Sequence, residues 1–166
     1  MTFEEFAQTQ LPAILSFATV LTGQRATAED LAQEVLLRAH ARWGQIGRLD
    51  KPAFYVRKMV LNEFLSWRRR SWRLVPAGNG DLDSGSAPDH ALAYAEHAAM
   101  LAEVAKLPRR QRAVLVLRYY EDRSDAEIAE LLGCAPGTIR TYASRALAAL
   151  RIELRPELAG HLHGEK

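Results

Sequence analysis

Residues 76–88 read Pro-Ala-Gly-Asn-Gly-Asp-Leu-Asp-Ser-Gly-Ser-Ala-Pro. Proline, glycine, serine and aspartate in this density cannot build a packed element and read as a flexible connector. The connector leaves about 75 residues on each side. Neither side alternates apolar and polar residues with period two. Both repeat apolar residues at three and four, the spacing of an amphipathic helix. The expected fold is therefore all-α: two small helical domains, residues 1–73 and 92–155, joined by a flexible linker at 74–91 and followed by a tail at 156–166.

Of the 166 residues, 48% are apolar, enough for two small cores. No apolar run approaches the roughly 20 residues of a membrane span, so no membrane insertion is expected. The first ten residues carry Glu4 and Glu5 where a secretory signal carries bases, which points to the cytosol. The lone Cys134 excludes an internal disulfide and any multi-cysteine zinc site. His161 and His163 alone are a weak metal signal, and no cofactor is expected.

The net charge of +2 conceals an uneven distribution. Residues 1–75 carry a net +4, the connector with Asp81, Asp83 and Asp89 carries −3, and residues 92–166 carry +1. Arginine outnumbers lysine eighteen to four. Arginine suits bidentate contacts to phosphate and guanine, although a GC-rich genome gives the same bias.

Within the first half, Thr2-Phe3-Glu4-Glu5 is a capping-box pattern that opens a helix. Pro12 should kink or split it. A second helix begins near Thr27 and runs to about Arg42, residues 44–50 read as a loop, and a third helix starts at Pro52 and continues to about Arg70, with Val56, Val60, Phe64 and Trp67 on one face. In the second half, an alanine-rich helix covers 92–106 and another opens at Pro108. Ser124-Asp125-Ala126-Glu127 is a second capping box, Gly133 closes its short helix, and Pro136 opens a long one.

Residues 124–151 have the layout of a helix-turn-helix: a short capped helix, a glycine turn, a longer helix. On that longer helix Ile139, Ala143, Ala146 and Leu150 share the inward face, while Arg140, Thr141, Ser144 and Arg145 share the opposite one. The early residues of such a second helix meet base edges in the major groove. Arginine can bond guanine at two points, and a threonine methyl can touch that of thymine. Arg123, Arg112 and the amides at the helix start are the expected phosphate contacts. An ordinary antiparallel helix pair with a solvated basic face would show the same split.

Three further stretches resemble one family. The run Ala28-Glu29-Asp30-Leu31-Ala32-Gln33-Glu34-Val35-Leu36-Leu37-Arg38-Ala39 is similar to the polymerase-binding helix of extracytoplasmic-function (ECF) sigma factors. The helix over 53–70, with Asn62 and Arg68-Arg69-Arg70, resembles that family's promoter-melting and minus-ten-reading helix. Leu107-Pro108-Arg109-Arg110-Gln111-Arg112 and Gly137-Thr138-Ile139-Arg140-Thr141 resemble its minus-thirty-five reader. The likeness covers about residues 2–73 and 92–153 in the family's order, which is more specific than any one piece.

The resemblance implies a sigma factor that binds core RNA polymerase and directs promoter-specific initiation on double-stranded and then melted DNA, with no catalytic residue. It implies docking on the beta-prime clamp coiled coil through Asp30, Leu31, Gln33, Glu34 and Leu37, with a second contact to the beta flap. It implies minus-ten contacts and melting through Arg48, Arg57, Lys58, Asn62, Arg68, Arg69 and Arg70, and capture of a flipped base by the loop 45–51. Most relatives also have an anti-sigma partner. Physical spacing agrees in part: Asp30, Gln33, Glu34 and Leu37 share a helix face that suits a basic partner, though a solvated acidic face over a core of Leu31, Val35 and Ala39 fits the same residues. Tyr55, Trp67 and Trp72 among the bases suit unpaired bases that stack on aromatic faces, whereas Trp67 at helical spacing also suits the core. The chain departs from the family pattern at Tyr55, Ser66 and Ala135. Ala135 stands where a capping serine is usual and lowers helix stability by roughly 1 kcal/mol.

Two promoter elements two helical turns apart lie about 70 Å from one another. A linker over 74–91 spans at most about 60 Å, and two domains about 25 Å across supply the rest. The competing reading is a helix-turn-helix regulator that works without polymerase. An enzyme built on Cys134 would need a histidine close by, and His97 is the nearest upstream.

Overall fold

The computed structural model describes residues 1–66 and 91–150, of which 91–97 as backbone. Trp67, Arg68, Arg69, Arg70 and Trp72, the connector aspartates and the tail histidines lie outside the described residues. The described residues form helices and turns, with no strand among them. Their contacts divide the chain into two units, Met1–Ala105 and Lys106–Lys166.

The first unit holds α1 (Phe3–Thr22), α2 (Arg25–Ala41), α3 (Trp43–Ile46), α4 (Pro52–Ser66) and α5 (Ala91–Ala105). The capping box at α1 forms as its residue types dictate. Thr2 N donates to Glu5 Oε2 at 2.8 Å and Glu5 N donates to Thr2 Oγ1 at 3.2 Å. Pro12 does not split the helix: Phe3–Thr22 is one element. Phe6 on one side of Pro12 and Ile14, Phe17, Ala18 and Leu21 on the other are all buried, so one core anchors both halves. Pro12 and Gln8, whose carbonyl loses its usual donor, are both exposed, and solvent can satisfy that carbonyl.

Gly23 ends α1 in the left-handed region, φ 74°, with its N–H donated to Thr19 O at 2.8 Å. The next helix starts at Arg25, two residues before the expected Thr27, and Thr27 Oγ1 donates to Gln24 Oε1 at 3.1 Å. It buries Ala28, Leu31, Ala32, Val35 and Ala39. The stretch expected as loop from Gly44 begins as the short α3. Its Trp43 ring lies 4.7 Å from Phe6 and 5.4 Å from Phe3, and its Nε1 donates to Met1 O at 3.2 Å. That packing stabilises a turn that Gly44 would otherwise leave open. On α4, Val56, Val60, Leu61 and Phe64 are buried. The alanine-rich α5, read from sequence as the start of the C-terminal domain, contacts α1 and groups with the first unit.

The second unit holds α6 (Arg109–Leu115), a π turn (Val116–Tyr120), α7 (Asp125–Leu132) and α8 (Pro136–Leu150). The π turn widens the last coil of α6, so that Glu121 N reaches Val116 O at 3.1 Å. Val114, Leu117, Ile128, Leu132, Ile139 and Ala143 form the core between α6, α7 and α8.

Candidate nucleic-acid and polymerase interfaces

The helix-turn-helix is assembled by local chemistry. Ser124 caps α7: its N–H donates to Glu127 Oε2 at 2.9 Å, and Glu127 N donates to Ser124 Oγ at 3.3 Å. The carboxylate accepts from Ser124 N–H and, at 3.0 Å, from Ser124 Oγ; these two bonds, with Arg123 adding to them, hold the Glu127 carboxyl below its ordinary pKa. Gly133, φ 64°, ends the helix, and Cys134 N donates to Ala129 O at 3.0 Å. The chain then turns into α8, whose Thr138 N closes on Ala135 O at 2.9 Å.

With Ile139, Ala143 and Ala146 buried, Arg140, Thr141, Ser144 and Arg145 are all exposed on one face. Thr141 Oγ1 donates back to Gly137 O at 3.1 Å, which commits the hydroxyl to the helix and leaves the methyl uncommitted. Arg123 and Arg112 each have a partner within the chain. Arg123, half-buried, pairs with Glu127 at 3.3 Å. Arg112 is half-buried and Nη2 donates to Leu107 O at 3.1 Å. Burial, with Arg109 nearby, lowers its pKa to about 10. Arg112 thus ties the start of α6 to the Leu107 carbonyl.

On α2 the stripe of Asp30, Gln33, Glu34 and Leu37 is exposed. Leu37 keeps 61% of its surface, unusual for a leucine on a helix whose neighbouring face is core. Leu31 corrects the expectation: it is 2% exposed and belongs to the core, one stripe away from Asp30, Gln33, Glu34 and Leu37. Beside the stripe runs a groove of about 660 Å³ between α1 and α2, lined by Phe3, Ala7, Leu11, Leu36 and Leu37 and edged by Gln33. The sequence reading missed it, because it needs α1 and α2 together.

Along α4, Tyr55, Asn62 and Ser66 are exposed, while Arg57 and Lys58 are half-buried. In the preceding segment Arg48, Leu49, Asp50 and Lys51 are exposed, whereas Ile46 is buried and anchors the start of the expected loop 45–51. Arg38 of α2 forms an ion pair with Glu63 of α4, a cross-helix contact that spacing within one helix could not reveal.

Sigma-70 region 2 matches residues 6–74, and Sigma-70 region 4 matches residues 97–150. The chain is 35% identical over 153 residues to the RNA polymerase sigma-E factor of Streptomyces avermitilis, covering 92% of this chain and 84% of that one. The chain belongs to the ECF sigma factors of the sigma-70 family. It is also 36% identical over 148 residues to the ECF RNA polymerase sigma factor SigL of Mycobacterium tuberculosis, covering 84% of this chain and 81% of that one. Among solved structures, the sigma factor RpoE of Bartonella quintana, in complex with the anti-sigma factor NepR, matches with a TM-score of 0.64 at 26% identity. That match covers 90% of this chain and 94% of the other. As an ECF sigma factor the chain is a DNA-binding transcription initiation factor. No described helix is long and apolar enough to cross a membrane.

Proposed function

We propose that this sigma factor divides its work between the two units. The exposed stripe Asp30, Gln33, Glu34 and Leu37, with the apolar groove beside it, docks on a basic helix pair of core polymerase, the beta-prime clamp coiled coil. The face Arg140, Thr141, Ser144 and Arg145 of α8 reads the minus-thirty-five element in the major groove. The α4 surface with Arg57, Lys58 and Asn62, together with Arg48, serves minus-ten recognition and melting, a step in which extruding one base costs a few kcal/mol. Region 4 opens near residue 92 in this reading, which the region 4 match from residue 97 supports, even though α5 packs against α1 in the first unit. The protein acts without catalysis, in the cytoplasm, with the beta flap as a second polymerase contact and an anti-sigma protein as a further partner.

The observation that carries this reading is the clean split of α8: a buried Ile139, Ala143 and Ala146 edge opposite an exposed arginine, threonine and serine face. Run-off transcription with purified core polymerase on genomic fragments tests it. Discrete new start sites are expected. A protein that binds duplex DNA but neither co-purifies with core subunits nor yields such transcripts is the helix-turn-helix regulator instead.

A further inference from the structure

Arg38 stands between two carboxylates. Its Nε lies 3.5 Å from Glu34 Oε1 one turn back on α2 and donates to the Glu34 carbonyl at 3.4 Å. Its Nη2 forms a tighter ion pair with Glu63 of α4. The Glu63 side chain is 13% exposed, against 47% for Glu34 and 45% for Arg38. Attraction between charges rises as they approach and as water is excluded. Salt screens an exposed pair more than a sheltered one. Arg38 thus bridges both carboxylates, and Glu63 shares a charge that Glu34 would otherwise hold alone.

Glu34 belongs to the acid and amide stripe on α2. A basic partner group that approaches it meets Arg38 as a like charge on the same stretch of surface. How far Arg38 closes on Glu34 then sets how negative the stripe remains. Asp30 and Glu29 lie one turn towards the helix start, and Glu29 is engaged by Arg25 at 2.9 Å.

We propose that Glu63 is a positioning residue for polymerase docking: it competes with Glu34 for Arg38 and so limits how far the guanidinium neutralises Glu34. The inference rests on the reading of the α2 stripe as the polymerase face. It assigns to a residue of the DNA-facing helix, one that is no part of that stripe, control over how strongly the stripe attracts its partner.

The test is equilibrium binding of the labelled full chain to purified core polymerase at low and high salt, with thermal melts alongside. E63Q keeps the shape and removes the charge. It is expected to bind roughly threefold to fivefold more weakly at low salt, an effect the size of one exposed ion pair. The loss should shrink as salt rises. R38A is expected to bind roughly twofold tighter than the parent on the same electrostatic scale, and the double variant E63Q/R38A should match R38A. A merely structural role predicts that R38A, too, binds more weakly and that the double variant binds worst, which overturns the proposal. R38A weaker than the parent overturns it even where E63Q fails to fold. E34Q separates the two readings. If E34Q binds like the parent, the docking reading fails and this inference with it. If E34Q weakens binding while E63Q does not, docking stands and the inference alone is lost.

Discussion

Arg118 and Asp125 clasp the two ends of the segment that leads into the helix-turn-helix. Arg118 Nη2 lies 2.7 Å from one Asp125 oxygen and 2.8 Å from the other, and both side chains are largely sheltered. Asp125 is the first residue of α7, where a negative charge also meets the positive end of the helix dipole. The clasp fixes the exit of the π turn against the helix that supports α8.

R118A should therefore destabilise the second unit by roughly 1–2 kcal/mol, the range for a charged hydrogen bond reduced for partial exposure. Thermal unfolding of the full chain checks this. D125N, which keeps shape and loses charge, should show a smaller loss than R118A.

The exposed face of α8 makes a prediction about selectivity. R145A should lose roughly 1–3 kcal/mol of promoter binding at its base position and should keep the parent's affinity for core polymerase. Binding to promoter variants, set beside polymerase binding, measures both. A variant equally weak for polymerase would place Arg145 in the wrong role.

Gly23 and Gly133 allow one kind of strain to be separated from another. Both have positive φ, and a side chain there costs roughly 1–2 kcal/mol. A Cβ at Gly133 meets nothing within 4 Å, whereas one at Gly23 would lie 2.5 Å from Ala105 Cβ. G23A should thus lower the melting temperature more than G133A. Adding A105G to G23A should recover only the excess.

The Ser124–Glu127 capping box gives the second unit an acid-sensitive component. Folding lowers the Glu127 pKa, chiefly through the hydrogen bond from Ser124 N–H. A carboxyl with a depressed folded pKa contributes stability above its unfolded value, and that contribution disappears as pH falls through the folded one. S124A should cost roughly 1 kcal/mol at neutral pH. E127Q, which removes the titrating carboxyl, should flatten the fall in melting temperature as the solution is acidified through the carboxylate range, whereas S124A, which keeps the Ser124 N–H, should flatten it only in part.

Much of this was legible because it is local. Both capping boxes, the Gly133 turn and the two faces of α8 are fixed by residues within one or two turns of one another. Leu31 was misassigned because it neighbours Asp30 in the chain, yet consecutive helical residues point about 100° apart, and Leu31 shares its direction with Ala28 and Val35. The Arg38–Glu63 pair and the α1–α2 groove depend on how helices pack. So does α3, which Trp43 secures against Phe3 and Phe6. Pro12 breaks a helix that stands alone, but here burial on both sides of it outweighs one missing hydrogen bond.

The π turn at Val116–Tyr120 carries one residue more than the α-helical path would need. Removing a single residue there would let the coil close to regular α-helix. A one-residue deletion should therefore be absorbed at this spot more readily than inside α7 or α8, where it would turn the buried stripe away from the core by about 100°.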